Sequence, residues 1–143
     1  MFRRVLFIVA IAVSLNACGD EEDKDKIDIS GITSRSIICE VYKVDPDDWK
    51  PLPGLTDISL CPNPVNYTSS AELKFKLDEP ARVKVWAVNS RDETVLNIFD
   101  GSLTAGYRAI LFSGLPVGLS RIYIQAGNKR TYGDVLVNQW GDD

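Results

Sequence analysis

Histidine is missing altogether from the 143 residues, methionine occurs once and cysteine three times. Without an imidazole, no Ser-His-Asp or Cys-His nucleophile and no HExxH-type or three-His zinc site can be assembled. An excess of positive charge is missing too. Sixteen basic residues stand against 20 acidic ones, a formal net charge of −4, so a broad basic surface is not expected and nucleic acid is not expected as a partner. A membrane-spanning helix needs about 20 apolar residues, and the unbroken apolar stretch near the N-terminus covers only residues 5–13. What remains, 45% apolar and 25% charged, is the composition of an ordinary globular domain. There is no nucleotide-binding motif, no internal repeat and no residue pattern that implies a cofactor.

The N-terminus is informative. Met1-Phe2-Arg3-Arg4 is followed by the apolar stretch and then by Ser14-Leu15-Asn16-Ala17-Cys18. A basic start, a short apolar run and small residues before a cut site describe a secretory signal peptide. Leu15-Asn16-Ala17-Cys18 resembles the lipobox of bacterial lipoproteins. That resemblance implies a signal peptide over residues 1–17 and a Cys18 that carries diacylglycerol and further acyl chains, so that the bilayer itself is a partner. Several chains together make a stable anchor where one would be marginal. The alternative is a plain signal peptide with a coincidental cysteine. Cleavage would take Arg3 and Arg4 from the 16 basic residues, leaving 14 against 20 acidic ones, a formal −6. Gly19, not Asp, follows Cys18, which in the usual sorting pattern points to the outer membrane. The acidic run after it resembles an export signal of surface-exposed lipoproteins, so a surface-exposed and a periplasm-facing anchor both stay open. Residues 18–35 are expected to form a charged, flexible tether, and residues 36–143 the folded domain.

Two cysteines remain, Cys39 and Cys61. An exported chain with an even pair most simply forms one disulfide. Closing a loop of about 23 residues is worth about 3.4 kcal/mol in the chain-entropy picture. Two free buried thiols or a partial metal site are the alternatives, and two thiolates without histidine make a poor zinc site.

From residue 36 onward the signals are those of short strands. Residues 37–44 are rich in Ile, Val and Tyr, and a Pro- and Asp-rich loop follows. Residues 57–61 suggest a short strand. Residues 71–77 alternate strictly, with Leu73, Phe75 and Leu77 on one face and Glu72, Lys74 and Lys76 on the other. Further strands are expected at 82–87, 95–99, 107–112, 121–126 and 132–137, with turn signals between them, among them Asp100-Gly101. About seven strands at roughly ten-residue spacing imply an all-β, antiparallel β-sandwich.

Cys61-Pro62-Asn63-Pro64-Val65 followed by Ala71-x-Leu73-x-Phe75-x-Leu77 resembles the entry strand of Ig-like domains similar to that of the flagellar hook-capping protein FlgD. The sorting domains of type IX secretion cargo share that entry. Pro80-Ala81-Arg82-Val83-Lys84-Val85, Leu103-x-x-Gly106 and Ile122-Tyr123 continue the likeness across residues 61–126. It implies an Ig-like fold. Arg121 stands where the family has Gly, and a fold of this kind hosts many functions.

Candidate chemistry is sparse. Asp45, Asp47 and Asp48 offer oxygens of the kind calcium takes, but without an Asp-x-Asp-x-Asp-Gly spacing, and no metal is expected. No pair of carboxylates can be assigned to one cleft. Trp49, in the Pro- and Asp-rich loop, is a candidate partner contact, its alternative being to pack over the end of the sandwich. Trp86 lies on the charged phase of its strand, where it packs under the N-terminal segment or is exposed. Trp140 is expected to fold over the sheet edge. The expected function is non-catalytic: a membrane-anchored Ig-like interaction or structural module with a protein partner, the alternative being carbohydrate binding through exposed aromatics.

Overall fold

Between Ala71 and Leu77 apolar and charged side chains take turns, and only an extended chain sends the two sets to opposite faces. The computed structural model describes residues 27–29 and 31–139. It places a strand at Ala71–Leu77, with Leu73 and Phe75 fully buried and Lys74 exposed. Ten strands follow one another: β1 Ser34–Arg35, β2 Val41–Lys43, β3 Leu55–Cys61, β4 Val65–Asn66, β5 Ala71–Leu77, β6 Ala81–Val88, β7 Thr94–Leu103, β8 Gly106–Phe112, β9 Gly118–Ala126 and β10 Lys129–Asn138. Seven of these are long, as the sequence suggests. β1, β2 and β4 are short additions.

The strands form a three-stranded sheet in the order β3-β5-β8 and a five-stranded sheet in the order β4-β10-β9-β6-β7, with β1 and β2 as a separate hairpin. Pairing is antiparallel except between β4 and β10, which run parallel. The inner faces meet in one apolar core. Leu55, Leu60, Leu73 and Phe75 come from the smaller sheet, and Val83, Val85, Ile122, Ile124 and Val135 from the larger. Each such side chain contributes about 1.5–3 kcal/mol of transfer free energy. The protein is thus an all-β sandwich with two poles. The links 78–80, 104–105 and 127–128 lie at one pole, and the links 62–64, 67–70, 89–93 and 113–117 at the other.

Cys39 and Cys61 are joined, with α-carbons 5.4 Å apart, inside the range a disulfide requires. The bond fastens the β1–β2 hairpin to the end of β3.

Four expectations need correction. Residues 37–44 do not form one strand: the chain turns at Ile37-Ile38, where Ser36 N–H donates to the Glu40 carbonyl (3.0 Å) and Cys39 N–H to the Ser36 carbonyl (2.9 Å), and only Val41–Lys43 is extended. Asp100-Gly101 is not a turn. β7 runs through it, and Gly101 leaves space for the Phe99 ring, which a Cβ there would approach to 3.2 Å. The tether does not reach residue 35, because Thr33 is buried and β1 belongs to the fold. The fourth is Trp49, whose ring is packed into the fold and not exposed. Cys18, the signal peptide, most of the acidic run and Trp140 lie outside the described residues.

Candidate functional site

β6, β9 and β10 are neighbours, and their residues alternate between core and outer face. Ile122 and Ile124 point inward, so Arg121, Tyr123 and Gln125 point outward, and Trp86 and Tyr132 fall on the same outer face. Register brings three of these rings into one row: Trp86 pairs with Tyr123, and Tyr123 with Tyr132. Trp86 stacks on Tyr123 with centroids 5.2 Å apart, and Tyr132 meets Tyr123 edge-on at 6.0 Å. Both are the arrangements that aromatic quadrupoles favour.

Cations sit over every ring of the row. Lys84 Nζ lies 5.1 Å from the Trp86 ring, Arg130 Cζ 4.9 Å from Tyr123 and Arg121 Cζ 3.9 Å from Tyr132. All three are within cation–π range. Lys84 and Arg130 are exposed and the rings half-buried. A shallow groove of about 350 Å³, lined by Arg82, Lys84, Asp100, Gln125 and Gly127, runs beside the row. Such a surface offers flat π faces and positive charge at once, which suits it to holding a ligand.

Arg121 is different, because it is buried on this outer face. Its Nε and Nη2 donate to Asp134 Oδ1 (2.8 Å) and Oδ2 (3.0 Å), a two-point contact, and Nη2 also donates to the Asp28 carbonyl (2.6 Å). Ile27 N–H donates to the Ser90 carbonyl (3.0 Å). Residues 27–28 therefore lie across one end of the face and shield the pair. Burial pushes the Asp134 carboxyl up from the usual carboxylate range, and the Arg121 guanidinium draws it back only in part. The same contact holds Arg121 protonated, its pKa raised.

The free edge of β10 is covered by polar groups in sequence. Trp49 N–H donates to the Tyr132 carbonyl (2.6 Å), and Asp134 N–H donates to Asp48 Oδ1 (2.8 Å). Asn63 Nδ2 donates to the Asp134 carbonyl (2.8 Å) and the Thr33 carbonyl (3.1 Å), and its Oδ1 accepts from Leu136 N–H (3.1 Å). Tyr67 N–H reaches the Asn138 carbonyl (2.9 Å). An edge so covered is closed to strand pairing with another chain. Asp48 Oδ2 accepts from Thr33 N–H (2.7 Å) as well. Burial raises the Asp48 carboxyl above its ordinary value, while the two backbone N–H groups oppose that rise.

The acidic loop is thus employed in the fold. Asp48 bridges two backbone amides, and Asp47 pairs with Lys50 at 3.3 Å on the surface. Among the described residues no group of three or more His, Cys, Asp or Glu converges as a metal site would require.

Trp49 is only 8% exposed. Its backbone is in the left-handed region (φ 54°), and its indole ring covers Gly133 so closely that a Cβ there would run into it. A ring packed in this way is not an exposed anchor, and the expected partner contact at Trp49 is corrected on that ground: Gly133 makes the space that takes the ring in. Trp86, by contrast, is part of the outer row. The sequence reading gives no site role to Tyr123, Tyr132, Arg121, Asp134 or Asn63, although period-two alternation places Arg121-x-Tyr123 and Tyr132-x-Asp134 on one outward phase. No protein-family model matches the chain, and comparison with curated proteins and with solved structures finds no match either.

Proposed function

We propose that the chain is a lipoprotein held through acylated Cys18 in the outer membrane, facing the periplasm or the cell surface, and that its Ig-like sandwich is a non-catalytic interaction module. The lipobox-like Leu15-Asn16-Ala17-Cys18 behind a basic and apolar leader supports the anchor. The row Trp86-Tyr123-Tyr132, with Arg130 and Lys84 over it, carries the interaction reading. Trp, Tyr and Arg are the residues that dominate binding energy at protein interfaces, and this outer face collects them with the three rings only half-buried. The favoured partner is an envelope protein with an acidic face. The same rings favour a second reading, a carbohydrate laid flat on the row with its acidic or hydroxyl groups toward Lys84 and Arg130.

Binding of the mature protein to envelope extract and to a glycan array, each repeated with Trp86→Ala/Tyr123→Ala, separates the two readings. Row-dependent retention of one envelope protein supports the first reading, and row-dependent retention of one glycan class supports the second. Retention that ignores the substitution contradicts both.

A further inference from the structure

The pole that holds residues 62–70 and 113–119 differs from the rest of the surface. With the hairpin tip at 36–39, those loops contain 20 residues and not one Asp, Glu, Lys or Arg, where a chain 25% charged would place about five. The opposite pole carries Asp78, Glu79, Lys129 and Arg130 in or beside its links. Large apolar side chains are exposed on these uncharged segments: Ile37 (85%), Ile38 (70%), Val117 (53%), Tyr67 (46%) and Leu119 (42%). Arg35, which is bridged to Asn63, and Glu40 flank the hairpin tip, and Arg91, Asp92 and Glu93 stand in the β6–β7 turn of the same pole.

The chain leaves toward Cys18 from this same pole. Ile27 is hydrogen-bonded to Ser90, in the β6–β7 turn. Ile27 is nine steps along the chain from Cys18, so this end of the domain can stand no farther than about 30 Å from the position of Cys18. The hairpin tip is also fixed before any contact: the Cys39–Cys61 bond ties it to the end of β3, and Arg35 exchanges backbone hydrogen bonds with Asn63 at 2.7 and 3.1 Å.

We propose that this pole seats on the lipid bilayer, with Ile37, Ile38, Val117 and Leu119 in the interface and Tyr67 at headgroup level. Exposed apolar area of this kind gains from leaving water, and tyrosine suits the headgroup boundary, where one end of the ring is wet. Charge selects the same orientation. The mature chain carries a formal −6 (14 basic, 20 acidic), so an anionic lipid surface repels the chain as a whole and admits most easily the segments 36–39, 62–70 and 113–119, which carry no charge. Seating there leaves the outer face with Trp86 and Tyr123 turned sideways, open to a partner. The proposal rests on the lipid-anchor reading for its proximity to the membrane, and on the pole itself for its orientation.

The test is nuclear magnetic resonance of the mature acylated chain in nanodiscs of phosphatidylethanolamine and phosphatidylglycerol that contain a nitroxide-labelled lipid. Amide signals of Ile37, Ile38, Tyr67, Val117 and Leu119 should lose most of their intensity, while those of Asp78, Thr104 and Asn128 keep theirs. Ile37→Asp with Ile38→Asp should restore the lost signals without shifting the melting temperature, since both side chains are exposed. Equal losses at both poles, losses confined to another face, or a lipid-free dimer through Ile37 and Ile38 would overturn the proposal. The mass of the same preparation reports the anchor separately. If no acyl mass is present, the anchor reading fails, and the free Cys18 thiol coupled to a maleimide headgroup then holds the chain on the nanodisc for the same readout.

Discussion

Arg121 and Asp134 face each other across β9 and β10 and form a two-point ion pair at 2.8 and 3.0 Å on the outer face of the larger sheet, beneath residues 27–28. Their side chains are 10% and 5% exposed. Removing one member strands the other charge in a place with little water. Arg121→Ala should cost about 3–5 kcal/mol in denaturant unfolding, whereas Arg121→Met with Asp134→Leu should recover most of that loss. A single substitution as mild as a surface change would show that water reaches the pair.

Asn63 connects three backbone groups through one side chain: the carbonyls of Thr33 and Asp134 and the N–H of Leu136. Each buried group left without a partner costs about 1–3 kcal/mol. Asn63→Ala should therefore lose on the order of 3 kcal/mol or more, and the Leu136 amide should exchange with solvent much faster. Slow exchange at Leu136 in the variant would mean that another group covers the β10 edge.

Much of this fold can be read in the alternation of residues and some of the site cannot, for a physical reason. Leu73, Phe75 and Leu77 announce a half-buried strand because one face is apolar and the other charged. Arg121 and Asp134 carry ordinary surface residue types, and what buries them is a distant segment, residues 27–28, that no local pattern joins to β9. Asn63 looks like a turn residue between two prolines, although its importance comes from three partners between 30 and 73 residues away in the chain. Asp100-Gly101 misleads in the opposite direction. Its turn chemistry is strong, but the packing of Phe99 over Gly101 outweighs it.

The alternation of β5 can be tested by a pair of substitutions. Phe75→Ala should destabilise the protein by about 3–5 kcal/mol, and Lys74→Ala should stay within about 0.5 kcal/mol. A one-residue slip of register would exchange the two outcomes, and thermal or urea unfolding distinguishes them.

Asp48 sets a pH dependence. Its carboxyl is raised in the folded protein above the ordinary value of 3.8, chiefly by burial. A carboxyl raised on folding binds its proton more tightly folded than unfolded. Its contribution to stability is therefore complete below that ordinary value and is lost as pH rises through the raised one. Asp48→Asn removes the titration and leaves one of the two N–H donors, Thr33 or Asp134, without its acceptor, at a cost of about 1–3 kcal/mol. Melting temperatures between neutral and acidic pH should show wild type gaining on the variant as pH falls. A constant difference would contradict the raised carboxyl.

The central claim is that the outer face of the larger sheet meets a partner. A photo-crosslinking residue at Gln125, beside the Trp86-Tyr123-Tyr132 row, compared with one at Lys74 on the opposite sheet, tests it most directly in intact cells. The account predicts a discrete adduct from position 125 that disappears with Trp86→Ala/Tyr123→Ala, and none from position 74. Adducts of equal yield from both faces, or an adduct from position 125 unaffected by loss of the rings, would contradict it.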